Sequence, residues 1–339
     1  MTLLLAPRFD HLLAITDELG TFEHAFFDAP RPEHGYCTDD MARVLVVASR
    51  EREPSPAVQW LIHLALRFLG EAQGPDGGYR NRMDADGRWT DEPTVEDCWG
   101  RSVWGLGTAA ARSDLTGVRD SAVAQFERAV QRRSPWPRAM AFAALGAAEV
   151  LTVLPTHRSA RQFLADYAVT TTEPEAESEW PWPEPRLRYA NAALAEARIA
   201  AGHALGQSAL LRRGLHMLEW LVLEQMAAGH LSPTPAAGRG LGDLRPAYDQ
   251  QPIEVSTLAD ACARAAEVDS REIWTTGLKA AVAWFEGDND LGQPMWNPAT
   301  GGGFDGLHAD RVNVNQGAES TLALLSTFQH AQRLMMTAQ

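Results

Sequence analysis

Cysteine is scarce in this chain: three in 339 residues (Cys37, Cys98 and Cys262), an odd number at wide spacing with no CxxC pair. That pattern supplies neither a disulfide framework nor the ligand spacing of a structural zinc site. Clusters of basic residues are missing as well, and the formal net charge is -14. A phosphate backbone or an anionic membrane surface is held by clustered Lys and Arg, so nucleic acid and membrane are excluded as main partners. No apolar run is long enough to span a bilayer, and the N-terminal MTLLLAPRFDH carries neither a basic n-region nor a small-residue cleavage site. The expectation is a cytoplasmic protein. No Gly/Ser-rich or Pro-rich linker interrupts helical patterning that runs from about Pro7 to about Leu334, which predicts one domain over residues 1–339.

What is present is ample for a core, with 45% hydrophobic residues and 22% charged. The most telling feature is an internal repeat. Six small-residue-rich segments recur: GYCTDDMARVLVVAS, EDCWGRSVWGLGTAAA, PWPRAMAFAALGAAEVL, RYANAALAEARIAAG, QPIEVSTLADACARAA and NQGAESTLALLSTF. Each opens polar and turns apolar all round, as a helix buried on most faces does. Between them lie FDHLLAITDELG, AVQWLIHLALRFLGEA, DSAVAQFERAVQRR, SARQFLADYAV, ALLRRGLHMLEWLVLEQM and EIWTTGLKAAVAWFEG, whose one-sided apolar stripes suit an outer layer. Strict outer/inner alternation predicts an all-α fold, an (α/α)6 toroid of six helical hairpins, with short β pairings allowed in its long loops. All inner helices then start at one mouth, and the long loops land on that same face.

The polar residues at those starts are His34, Asp39, Asp40 and Arg43; Glu96, Asp97, Trp99 and Arg101; Trp136 and Arg138; Tyr189 and Asn191; Asp249, Gln250, Gln251 and Glu254; and Asn313, Asn315, Gln316 and Glu319. Carboxylates, carboxamides, Arg and aromatic rings together suit a neutral polyol: planar hydrogen-bonding groups for vicinal hydroxyls, ring faces for the C–H side of a sugar. Eleven tryptophans strengthen this, with Trp180 and Trp182 in the polar SEWPWPEP loop expected as exposed platforms. Acid/base work on a glycosidic bond needs two facing carboxyls, and Asp40, Asp97 and Glu254 are the preferred trio, since each opens an apolar helix able to raise a carboxyl pKa.

Plainer roles stand beside these. Asp39, Glu96 and Asn315 suit helix capping, although one cap serves one helix, so the adjacent pairs Asp39-Asp40 and Glu96-Asp97 leave an acid over. Arg43 is spaced to pair with Asp39 at i,i+4. His34 and His230 lie in loops over the mouth, Trp104 and Trp284 fall within helical stripes and belong to the core, and Glu149 is expected in solvent late in its helix. Cys37 and Cys98 find no His in a matching motif, TDDMAR lacks the second Asp pair of a diphosphate-Mg2+ site, and DADG is too short for an EF-hand. No metal and no cofactor is expected.

At GYCTDDMAR, EDCWGR, WPRAMAF, RYANAALAEA, GHLSP, DQQPIE and NQGAEST, in this order and across nearly the whole chain, the sequence resembles an (α/α)6 glycosidase-like family found fused to, or encoded beside, family 4 glycosyltransferases and mannoside phosphorylases. The resemblance implies a carbohydrate context and a glycosidase-like toroid; the proteins that the family accompanies point to a mannose-containing oligosaccharide and a glycosyltransferase partner. Met41, Cys98-Trp99 and Ala190 depart from that family's Asn, Ser-His and Asp, whereas Asp39, Asp40, Glu96, Asp97, Gln250, Gln251, Glu254, Asn315, Gln316 and Glu319 are retained. The first expectation is an inverting glycoside hydrolase, or related glycoside-processing enzyme, acting on a short oligosaccharide. In it Asp97 or Glu254 is the general acid and Asp40 the general base. The alternatives are a non-catalytic glycan-binding or scaffold partner of a glycosyltransferase, and a sugar epimerase or isomerase with His34 or His230 as base.

Overall fold

The computed structural model describes residues 6–171 and 178–337. Residues 1–5, part of the N-terminal stretch read above, and 172–177, part of the loop carrying Trp180 and Trp182, lie outside them. Among the described residues the expected alternation is present. The inner helices are α2 (Thr38–Arg50), α4 (Asp97–Arg112), α6 (Pro137–Val153), α8 (Asn191–Leu205), α10 (Pro252–Val268) and α12 (Ala318–Thr337). Each packs on the next, and α12 returns to α2, which closes the ring. The outer helices α1 (Asp10–Ala14), α3 (Pro56–Ala72), α5 (Val118–Ala129), α7 (Arg158–Thr170), α9 (Ser208–Gln225) and α11 (Ile273–Glu286) cover it. The fold is an (α/α)6 toroid.

Small residues allow this closure. A Cβ added to Gly107 of α4 would lie 2.1 Å from the Gly146 carbonyl oxygen of α6, and one on Gly146 would lie 2.1 Å from that of Val103. The two backbones touch, which only glycine permits at such range. The inner faces fill with Ala, Leu and Val, and Trp104 and Trp284 join the core as expected.

Two local expectations need correction. The first outer helix stops at Ala14 rather than continuing through TDELG, because the Asp17 carboxylate accepts the amides of Leu19 and Gly20 and folds the chain into a turn bridged by Thr16 and Thr21. Trp180 and Trp182 are not open platforms: Trp182 is 4% exposed, and both rings pack on Trp220 of α9 at 5.0 and 5.8 Å. The loops over the mouth carry five two-stranded ribbons among the described residues. One pairs Tyr36–Cys37 with Arg82–Met83 and so fastens the second long loop beside the start of α2.

No helix among the described residues is long and apolar enough to cross a membrane.

Candidate active site

The starts of the inner helices surround a polar cavity of about 520 Å³. Asp39, Asp40 and Arg43 of α2, Asp97 and Arg101 of α4, Tyr189 before α8, Gln251 before α10 and Glu319 of α12 all line it. The adjacent acids Asp39 and Asp40 diverge, and each serves an arginine on a different side of α2. Asp39 accepts from Arg101 Nη1 at 2.8 Å, while Asp97 stands 3.6 Å from the same nitrogen. Asp40 accepts from Arg43 Nη1 at 2.6 Å, and Arg43 Nη2 donates to Glu319 at 2.6 Å. Arg43 thus pairs with Asp40 and Glu319 rather than with Asp39, because its side chain runs toward α12.

Each guanidinium therefore joins one acid of α2 to an acid on a flanking helix. The flanking acids are the more open: the Glu319 side chain is 40% exposed and that of Asp97 22%, against 3% for Asp40. Their electrostatics differ too. Burial pulls Asp39 upward, but the charges of Arg101 and Arg43 and hydrogen bonds from Arg101 and Asn81 outweigh it and hold Asp39 below the usual range. Burial raises Asp97, Arg101 opposes it, and the Asp39 charge raises it further. Burial pushes Asp40 up to about 6 against Arg43, with Glu319 adding to the rise. Two carboxyls beside one guanidinium are thus driven apart in acidity, the arrangement that separates a proton carrier from a permanent anion.

Residues that the helix-start reading did not select also line the cavity: Glu23, His24 and Asp305 from loops, and Ser320 from the first turn of α12. Asp305 accepts the Gly317 amide at 2.8 Å and the Ser320 hydroxyl at 2.9 Å, so a distant loop residue caps α12. Asn315 instead receives the Phe27 amide at 2.9 Å, Glu96 makes no side-chain capping bond, and Asp39 accepts from Arg101 and Asn81, so none of the three caps expected from sequence forms. Glu23, Cys37 and Asp40 place ligand atoms within 4.8 Å of one another. Each is already engaged: Arg82 holds Glu23, Arg43 holds Asp40, and Cys37 donates its thiol hydrogen to Asp40 at 3.1 Å. Burial pushes that thiol well up, which opposes the thiolate that a metal would need.

Several sequence candidates lie away from the cavity. Trp99 is fully buried and donates its indole N–H to the Ala129 carbonyl, facing the outer layer. Gln250 is buried and binds Asp290 at 2.5 Å, as does His230 at 2.8 Å. Asp249 pairs with His308, and Gln316 with Thr300. Asn191 supports Glu254 with its amide at 2.8 Å. Glu254 itself is 4% exposed and accepts the amides of Ala190 and Asn191, so it closes the start of α8 from beneath. Glu149 is 4% exposed rather than solvated, because Arg264 and Arg112 reach it from α10 and α4. His34 is exposed at the rim, its ring edge-on to His24 at 4.9 Å. Trp136 stands open at the start of α6, and Arg138 stacks on Tyr189 with 4.9 Å from Cζ to the ring centroid.

Glu254 carries a measurable signature. Burial raises its pKa to about 7 from an ordinary 4.5, against hydrogen bonds from Asn191 and Ala190. A carboxyl raised on folding binds its proton more tightly in the folded state, so stability falls as pH rises from about 4.5 to 7. The Glu254→Gln variant should lose roughly 3 kcal/mol of that pH dependence. Urea unfolding of both proteins from pH 4 to 8 measures it, and parallel curves would contradict the assignment.

No protein-family model matches the chain, and no curated protein matches its sequence. Its fold does have solved counterparts. A sugar epimerase from a ruminal bacterium superposes with a TM-score of 0.69 at 10% identity, over 94% of each chain. The cellobiose 2-epimerase of Bacillus thermoamylovorans gives 0.71 at 11%, over 95% of each. The GH76 α-mannanase of Bacteroides thetaiotaomicron gives 0.61 at 11%, over 90% of this chain and 88% of that one. What the chain shares with these three proteins is the toroid itself.

Proposed function

We propose that the chain is a carbohydrate-processing enzyme that hydrolyses a short, mannose-containing oligosaccharide with inversion at the anomeric carbon. The observation that carries this is the placement of the Asp97 and Glu319 carboxyls, 22% and 40% exposed, in one polar cavity on the helices either side of α2. Asp39 and Asp97 share one nitrogen of Arg101 at 2.8 and 3.6 Å, so those oxygens stand closer than the about 6.5 Å at which a pair begins to admit water. The water-activating partner of Asp97 is therefore sought across α2. In this reading Asp97 gives its proton to the glycosidic oxygen as the C1–O bond breaks. Glu319 takes a proton from the water whose oxygen bonds C1, and solvent restores both groups. Burial and then the Asp39 charge raise the proton affinity of Asp97 against Arg101, while Asp40 anchors the Arg43 that orients Glu319. Glu254 has no part in the chemistry. The motif resemblance and the structural counterparts, two sugar epimerases and a mannanase, support the substrate class.

A second reading, epimerisation or isomerisation, is favoured by His24, which lines the same cavity with its side chain half exposed. It would remove a proton beside a sugar carbonyl. One experiment separates the two. Manno- and gluco-oligosaccharides of α and β linkage are incubated in D2O, with and without phosphate, and followed by NMR. Hydrolysis without phosphate, releasing first the anomer opposite to the substrate's, is the expected result. Deuterium at the carbon next to the carbonyl would replace it with the His24 reading. Ligands that raise the melting temperature without any turnover would leave a glycan-binding protein.

A further inference from the structure

A second cavity, of about 330 Å³, lies at the start of α6 and shares no wall residue with the first. Its size falls within the range of small-ligand clefts, about 300 to 1,000 Å³. Trp136, Met140, Glu184 and Leu194 are among its walls. Trp136 stands between Pro135 and Pro137 in the chain, which restrict its backbone, and at 55% exposure its indole is open at the mouth of the toroid. A row of side chains in direct contact runs from the first cavity to the second. The Tyr189 hydroxyl donates to Asp97, the Arg138 guanidinium lies over the Tyr189 ring, and Arg138 holds both oxygens of Glu184 at 2.8 Å. Both Glu184 oxygens are thereby held in place by Arg138, with lone pairs left for sugar hydroxyls.

Because a general acid protonates the departing oxygen, the leaving group must lie on its side of the cleaved bond. We propose that this second cavity holds a sugar unit further along the leaving-group side of the cleaved bond, with the Trp136 indole as its stacking face and the Glu184 carboxylate as hydroxyl acceptor. The inference rests on the hydrolytic reading for its direction and on the cavity for its existence. It makes the enzyme selective for oligosaccharides extended toward the reducing end over glycosides with a small leaving group.

The test is a ratio. For wild type, Trp136→Ala and Trp136→Phe, kcat/KM is measured on substrates lengthened by one unit at a time on the reducing side, and divided by the value for the shortest. Calorimetric binding of the same oligosaccharides is measured in parallel. Trp136→Ala should lower the ratio about tenfold, the worth of one aromatic stack, and Phe should restore much of it. Turnover with an unchanged ratio overturns the subsite and leaves the hydrolytic reading standing. Absent turnover with affinity about tenfold weaker in Trp136→Ala does the reverse: the sugar site stands and hydrolysis falls. Absent turnover with unchanged affinity removes both.

Discussion

Replacing Asp97 by Asn is expected to lower kcat/KM on an unactivated oligosaccharide by about 10²- to 10⁴-fold, the usual worth of one positioned proton donor. The carboxamide keeps the shape and leaves Arg101 on Asp39, so the ring should hold and the melting temperature should move little. The loss should shrink sharply on glycosides whose leaving group needs no proton, because only the acid step has been removed. Glu319→Gln should lose a similar factor on both kinds of substrate, since water activation is required for each. The pH profile gives an independent check. An acid catalyst is active only while protonated, so wild-type kcat/KM should fall as pH rises through the elevated pKa of Asp97. Asp97→Asn should lack that limb. An equal loss on activated and unactivated glycosides would remove Asp97 from the acid role.

Asp260→Ala should cost about 3 to 5 kcal/mol of stability, the range seen when one partner of a buried ion pair is removed. Asp260 lies on the lower part of α10 and is 4% exposed. It accepts from Arg50 at 2.7 Å and Ser326 at 3.0 Å and pairs with the His330 ring at 2.6 Å, so α2, α10 and α12 meet on one carboxylate. Truncation would leave Arg50 buried without its anion. Burial raises the Asp260 pKa, but Arg50 and His330 overcome it and the group sits below its ordinary 3.8. A depressed folded pKa contributes stability above 3.8 that is lost as pH falls toward the folded value. Chemical unfolding at pH 7 measures the first effect, and the variant should lose less stability than wild type on acidification below pH 4. A change under about 1 kcal/mol would mean that the three helices hold together without this group. Combined replacement of Arg50, Asp260 and His330 by apolar residues of similar volume should cost far less than Asp260→Ala, since no charge is then left unpaired.

The helices were legible because their signals are local: apolar periodicity, small residues and polar starts lie within one turn or two of each other. The cavity was legible for the same reason. Once all inner helices begin at one mouth, Asp39, Asp40, Arg43, Asp97, Arg101, Tyr189, Gln251 and Glu319 converge without further information. What sequence spacing could not carry was direction. Asp39 and Asp40 are neighbours in the chain, yet Asp39 is held by Arg101 of α4, while Asp40 is held by Arg43, which reaches on to Glu319 of α12. Glu254 looks like any acid at a helix start until α8 is set beside it and two of its amides need an acceptor.

The same holds for Trp180 and Trp182, polar-loop residues by sequence and covered surface once Trp220 of α9 lies against them. Glu149 is caught between Arg112 and Arg264, and Arg264 is 115 positions away along the chain. His24, Glu23 and Asp305 reach the mouth from loops whose paths depend on the short ribbons and on contacts with α12, so no local pattern announces them. The sequence by itself determined a ring of paired helices with a polar mouth, because burial periodicity and helix-start chemistry act over a few residues. Closure of the ring alone decided which acids face water and which serve as structural anions, because burial and partnership are properties of neighbours far apart in the chain.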